Sequence, residues 1–354
     1  MQVRKMISLG LILTMITACS ASSNSTALYN GDYAAVLPYE STNSSVKHVS
    51  LISDMDCRIQ IESGLMDLSK EHFSVDEVEY KTHAFLDYDE LDATDGSRGL
   101  LGTLRDDNPI GLNPSSDEEF DTGNGIATGP VILVDIYELD WYAGDTLKGV
   151  SLSMVLNGSL SLDDGSEVEI DSTQLENYFD VTSNKLVSYM RERYNEITTH
   201  IPVYIAGYRL SDDDDSYGGY FRGGYFEDSQ GKFTSIEEQW VLIPSTSFTT
   251  LDSAKASEFD SFKESLKNVL TDYTYVTGQA KYDDGQASKV EIRVECHAKS
   301  AGEILAVGQM AKENLSIFTD TSCRYTVKII DNDETYVIIQ REEGSTDCNV
   351  ISTI

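Results

Sequence analysis

Val290-Glu-Ile-Arg-Val-Glu295, then Ser300-Ala-Gly-Glu303 leading into residues 304–318, then Tyr325-Thr-Val-Lys-Ile-Ile330, are the segments whose reading decides the fold. Strict alternation puts Val290, Ile292 and Val294 on one side of a half-buried strand. Ser300 and Glu303 have capping-box spacing, in which each side chain meets the other residue's backbone N–H. Ile304, Val307, Ala311, Leu315 and Phe318 follow at helical spacing and form one apolar stripe. Tyr325–Ile330 and Thr335-Tyr-Val-Ile-Ile-Gln340 return to strand as a pair.

Upstream, Gly149-Val-Ser-Leu-Ser-Met-Val-Leu156 reads as a strand, and Leu186, Val187, Met190, Tyr194 and Ile197 as a helix over 183–197, with Thr182 or Ser183 as its cap. Pro202-Val-Tyr-Ile-Ala-Gly-Tyr208 is again a strand. The strand–helix–strand order is that of 290–330, with an extra turn at Asp163-Asp164-Gly165. The expectation is an α+β protein of two related repeats, 46–198 and 201–343, followed by a tail, 344–354. Each repeat packs an amphipathic helix on an antiparallel or mixed sheet. Chance similarity of two α+β segments is the alternative. Further strands are expected at Val131–Leu139 and Glu238–Ile243, a short helix or turn at Gly64–Phe73, and extended chain near Val78–Leu86. Phe259, Phe262, Leu266, Val269 and Leu270 mark another helix. The Gly/Asp/Asn-rich stretch 92–129 has loop chemistry, and a loop of that length is either functional or disordered.

The amino-terminus has a different logic. Arg4 and Lys5 precede an apolar run, Met6–Ile16, too short to cross a bilayer. Ile16-Thr17-Ala18-Cys19 then fits a bacterial lipobox, which makes residues 1–18 a signal peptide cut between Ala18 and Cys19. Cys19 is the expected lipid attachment site, and residues 19–32 a small polar tether. The partners this implies are a lipoprotein acyltransferase, a signal peptidase and the membrane itself, with the chain on the extracellular face. Ordered structure is expected from about Val36-Leu-Pro38. The formal charge of −34 becomes −36 once Arg4 and Lys5 leave, which argues against nucleic acid and against anionic headgroups as partners.

Several stretches look like family signatures: Gly64-Leu-Met-Asp-Leu-Ser-Lys-Glu-His-Phe73, Asn108-Pro-Ile-Gly-Leu-Asn-Pro114, Leu147-Lys-Gly-Val-Ser-Leu152, Ile201-Pro-Val-Tyr-Ile-Ala206, and the Gly-rich aromatic run 217–226 with Trp240 beyond it. Over roughly 33–342 the chain resembles the CamS family of Gram-positive lipoproteins. That resemblance implies a sex pheromone precursor whose signal peptide yields a short apolar mating peptide for conjugative-plasmid transfer. The corresponding positions are Ile12, Leu13, Thr14, Met15, Ile16, Thr17 and Ala18. A receptor on other cells would be the peptide's partner. Thr14 and Thr17 depart from the more uniformly apolar family peptides.

For the mature part, no catalytic motif is found. His48, His72, His83, His200 and His297 are scattered, without HExxH or GxSxG, and read as surface or packing residues. Cys57, Cys296, Cys323 and Cys348 form no zinc-type cluster, and serve equally as bridges or as free thiols. No metal or cofactor is expected. Asp212–Asp215 reads as a solvated loop rather than a cation site. Tyr217–Phe226 is either a flat binding surface or core strand at a glycine bend. The expectation is a non-enzymatic binding module. The alternative is an exported hydrolase of envelope polymer, with paired carboxylates from 92–129 or from the acid-rich second half.

Overall fold

The computed structural model describes residues 26–29, 31–92, 99–267, 269 and 275–354. The expected signal peptide (1–18), Cys19 and Leu270 lie outside them. The chain opens with β1 (Ala34–Ala35), α1 (Ser44–Leu51), α2 (Met55–Ser69), β2 (Glu79–Thr82) and α3 (Tyr88–Leu91). A small hairpin, β3 (Glu119–Asp121) and β4 (Ile126–Thr128), leads to the long strands β5 (Leu133–Ala143) and β6 (Thr146–Leu156). A second hairpin, β7 (Ser159–Ser161) and β8 (Glu167–Glu169), precedes α4 (Ser172–Arg193) and the strands β9 (Val203–Leu210), β10 (Ser216–Phe226), β11 (Lys232–Ser235) and β12 (Glu238–Ile243). After α5 (Thr246–Leu251) and α6 (Ser253–Leu266) come β13 (Tyr275–Asp283), β14 (Gln286–Cys296), α7 (Ala301–Asn314), β15 (Arg324–Asp331), β16 (Glu334–Arg341) and β17 (Cys348–Ser352).

Thirteen strands form one mixed sheet in the order β1-β2-β5-β6-β9-β10-β12-β13-β14-β15-β16-β17, with β11 beside β10. The fold is therefore α+β, as expected from the sequence. In the first half, β5–β6 is antiparallel, β6–β9 is parallel through the α4 crossover, and β9–β10 is antiparallel. In the second, β13–β14 is antiparallel, β14–β15 is parallel through α7, and β15–β16 is antiparallel. A parallel neighbour needs a crossover connection, and each helix supplies it while covering the strands it joins.

Several boundaries differ from the sequence reading. α4 begins eleven residues before the expected start, because Asp171 caps it by accepting from Thr173 N. Thr182 and Ser183 are buried mid-helix, where Leu175 and Phe179 extend the apolar stripe backwards. α2 likewise starts early, at Met55, capped by Asp54, whose side chain accepts from Cys57 N. The stretch 99–118 is held by buried Leu100, Leu101 and Leu112 and by Asn113, whose amide donates to Leu101 O and Leu133 O and whose oxygen accepts from Ile132 N and Leu133 N. The capping box at Ser300 and Glu303 is formed in full.

Two helix systems cover the first half of the sheet. α4 packs on one face with Phe179, Leu186 and Met190 among its buried residues, and α2 on the other with Ile61 and Leu65. Gly64 explains one signature stretch, since a Cβ there would lie 2.7 Å from the Tyr220 ring. In the second half, α6 and α7 cover one face around Phe262, Val307 and Phe318.

Candidate functional site

α1 is turned the wrong way round for an ordinary surface helix. It buries Ser44, Lys47 and His48, spaced i, i+3, i+4, and exposes Val46 and Val49. Its polar side faces polar partners. Ser44 Oγ donates to Leu86 O, and Lys47 Nζ pairs with the Asp92 carboxylate. His48 Nδ1 lies 2.7 Å from Asp135 Oδ2, and its Nε2 lies 2.8 Å from His83 Nε2. His83 Nδ1 meets Leu86 O at 3.1 Å. The Tyr137 ring stacks on His48 with centroids 4.0 Å apart.

These distances fix the protons. Leu86 O accepts only, so His83 Nδ1 carries hydrogen. The contact with Asp135 holds a second proton and the Nε2–Nε2 contact a third. The triad thus forms one chain of hydrogen bonds from Leu86 O through His83 and His48 to Asp135. Burial first, then the neighbouring His48 charge, lowers His83 to about 3, which keeps that ring neutral. His83 sits at φ +49°, a conformation uncommon outside glycine, and this aims its ring at His48.

Two acids hold the adjoining loop. Glu138 accepts from Phe85 N at 2.9 Å and Leu86 N at 2.6 Å, and Asp140 accepts from Ala84 N at 2.9 Å. Burial pushes both above the usual carboxylate range, Asp140 further because of the Glu138 charge. Beside this loop opens a cleft of about 840 Å³, lined by residues 36–43, 81–84, 87–89 and Asp145. Tyr39 and Thr82 hydroxyls meet across it at 2.6 Å, Lys81 and His83 line it, and Glu40, Asp87, Asp89 and Asp145 make its walls acidic.

Among the described residues, two neighbouring carboxylates both raised are found at Glu138 and Asp140, while in the second half burial raises Glu238, which pairs with Lys281. Glu138 and Asp140 are fully buried and bound to backbone amides. The histidine nitrogens of the triad are likewise engaged with one another, with Asp135 and with Leu86. Among the described residues no cluster of three His, Cys, Asp or Glu has metal-binding geometry, and no helix is long and apolar enough to cross a membrane.

The other sequence candidates resolve as follows. Asp213 and Asp215 accept from Ser247 and from Thr246 N, and so cap the start of α5. Tyr217–Phe226 is the inner strand β10, with Tyr220 and Phe226 fully buried. Gly219 approaches the Glu238 carbonyl so closely that a Cβ would lie 2.0 Å away. The run is core at a glycine bend. Cys57, Cys296, Cys323 and Cys348 are free thiols. His72 packs on Tyr225 at 4.4 Å, in keeping with a packing role. The His48–His83–Asp135 triad was not legible in the sequence, because its members lie 35 and 87 residues apart. The one local hint is that Lys47-His48 falls where a helix stripe would otherwise be apolar.

Residues 39–347 match the family described as CamS sex pheromone cAM373 precursor. Among solved structures, a sex pheromone precursor from Lactobacillus salivarius subsp. salivarius UCC118 superposes with a TM-score of 0.79 at 21% identity, over 93% of this chain and 98% of that one. The C-terminal domain of the staph-cAM373 precursor from Staphylococcus aureus superposes at 0.68 and 21% identity, over 83% and 96% of the two chains. At such identities the likeness establishes the fold. No curated protein matches the sequence. The family match spans most of the sequence, and the chain belongs to the CamS family.

Proposed function

We propose that this protein is a lipid-anchored surface lipoprotein with two products: a short apolar peptide from its signal segment and a folded binding module on the outer face of the membrane. The observation that carries this reading is membership, over residues 39–347, of a family described as pheromone precursors. The lipobox Ile16–Cys19 behind Arg4, Lys5 and the short apolar run supports the anchor. Acylation at Cys19 and cleavage after Ala18 would leave an apolar fragment, from which a second cut gives Ile12–Ala18. That peptide has no charged side chain, so it partitions through lipid and suits an apolar receptor pocket. Burying the Thr14 and Thr17 hydroxyls unpaired would cost about 1–3 kcal/mol each. The peptide therefore acts more weakly than fully apolar relatives.

For the folded part we favour binding over catalysis. The acid pair and the imidazoles are committed to holding loop 83–86, while the cleft beside them is open. The matching order of pairings at 133–226 and 275–341 supports an origin of the sheet core by duplication. An alignment of relatives in which the two segments match position by position tests that point.

Mass spectrometry of the mature amino-terminus tests the lipoprotein reading, with an acylated Cys19 expected and Cys19→Ala leaving uncleaved precursor. An unmodified terminus elsewhere ends it. Synthetic Ile12–Ala18 added to plasmid-bearing cells should give a weak mating response. A response equal to that of fully apolar relatives contradicts the penalty, and silence in every host removes the peptide from the proposal.

A further inference from the structure

Of the eighteen large apolar side chains exposed among the described residues, eight lie between residues 28 and 59. Four belong to the two helices that open the fold. Val46 and Val49 are 67% and 52% exposed and lie three apart on α1, so they share one face. Met55 and Ile59, at 65% and 52%, lie four apart on α2 and share another. The polar triad requires α1 to point its polar side inward, and its valines are thereby left in water. Residues 41–53 also contain no acidic residue, in a chain with 60 Asp and Glu, and Asp54 and Asp56 on either side of Met55 are held by Cys57 N and by Arg293. The long-range repulsion that such an acidic chain feels from an anionic leaflet is weakest where it carries no acid.

These helices also lie where the tether meets the fold. Tyr33 is buried in the same core cluster as Ile52 at the α1–α2 junction and Cys57 and Ile61 of α2, and its hydroxyl donates to Phe73 O at 2.6 Å. Thirteen residues lie between Cys19 and Tyr33, a reach of at most about 50 Å. A chain attached within that distance meets the bilayer at high effective concentration, so a small apolar contact is enough to orient it. Stable attachment also takes more than one signal, and an apolar surface beside the lipid supplies a second.

We propose that Val46, Val49, Met55 and Ile59 rest on the lipid surface of the membrane and hold the anchored protein with α1 and the start of α2 toward the bilayer. The proposal rests on the lipid-anchor reading, and one preparation separates the two. The lipidated full-length chain is reconstituted into phosphatidylcholine vesicles with brominated acyl chains, and flotation is read first. Tryptophan is then placed at Val49→Trp, at Met55→Trp as a second reporter, and at Val181→Trp on the exposed side of α4 as the control. The native Trp141 and Trp240 are buried and give a constant background. Bromine should quench the added emission at 49 and 55 at least twofold more than at 181. Flotation with equal quenching at all three positions overturns the docking and leaves the anchor standing. A chain that does not float overturns the anchor and the docking with it. Unquenched but concentration-dependent blue-shifted emission at 49 assigns this face to a second copy and overturns lipid docking.

Discussion

The two halves of the sheet show what covering one face or both does to similar strands. In β5, β6 and β9 long unbroken runs of residues are buried, because α4 lies on one face and α2 on the other. In β14, β15 and β16 burial alternates, with apolar residues toward α6 and α7 and Lys289, Glu291, Arg293 and Lys328 on the other side. Strands enclosed on both faces tolerate polar groups only when these are hydrogen-bonded, whereas a solvated face places little demand on its residues. The His48–His83–Asp135 triad and the Glu138–Asp140 pair belong to the enclosed half. In the second half, the solvated side of β14 carries the half-exposed pair of Arg293 with Asp56 of α2, while Glu238 of β12 is buried against Lys281.

The largest expected contrast lies between two aspartates. Asp135→Ala leaves His48 Nδ1 and Ile136 N buried without their partner and should cost about 2–5 kcal/mol. Asp56→Ala breaks the exposed pair with Arg293 and should cost at most about 1 kcal/mol. Urea denaturation at neutral pH measures both, and equal losses would erase the distinction between the halves.

Two glycines give a contrast of sign. A Cβ on Gly149 would lie 2.0 Å from the Phe73 ring, so Gly149→Ala should destabilise by about 1–3 kcal/mol. Gly302 on α7 has open space around its Cβ direction, so Gly302→Ala should stabilise by about 0.4–1 kcal/mol through the unfolded chain. Melting temperatures moving in the same direction would show that the packing of α2 and its following loop on β6 is looser than described.

The triad also sets a pH dependence. His83 is lowered to about 3, against an ordinary value near 6.5. The folded state therefore binds fewer protons in that window, and the contribution of His83, fully present above pH 6.5, is lost as pH falls toward 3. Removing this titration with His83→Gln should flatten the fall by at most about 1.4 kcal/mol per pH unit. Urea midpoints between pH 7.5 and 4.5 that keep the wild-type slope in the variant would contradict a neutral, buried His83.

The smallest effect has the opposite pH sense. Asp140 is raised, so its folded form resists ionisation and the penalty grows as pH rises above the ordinary carboxylate range. Asp140→Asn keeps an acceptor for Ala84 N and should be about 1 kcal/mol more stable than wild type at pH 8. That advantage should shrink as pH falls, and an advantage growing toward acid would reverse the assignment.

How much of this the sequence revealed differs between the halves. β14, the Ser300–Glu303 capping box, α7 and the β15–β16 pair lie where alternation and helical spacing place them. Asp171 with Gln174 three residues on has the spacing of a helix start, whereas the apolar stripe from Leu186 and the nearby Thr182 and Ser183 point to a later cap. Gly64 in α2 and the Gly-aromatic run of β10 looked like local signatures, yet each glycine is set by a ring or carbonyl from elsewhere in the chain.

Periodicity, capping and turn chemistry act over a few residues, so the sequence by itself determined the α+β class and the single apolar face of the second half. It could not determine which strands would be covered twice, because α2 reaches β6, β9 and β10 from about eighty or more residues upstream. Nor could it join His48, His83 and Asp135. Only the tertiary structure decided these, because burial removes water from groups distant in sequence and makes each depend on whichever partner the packing brings to it.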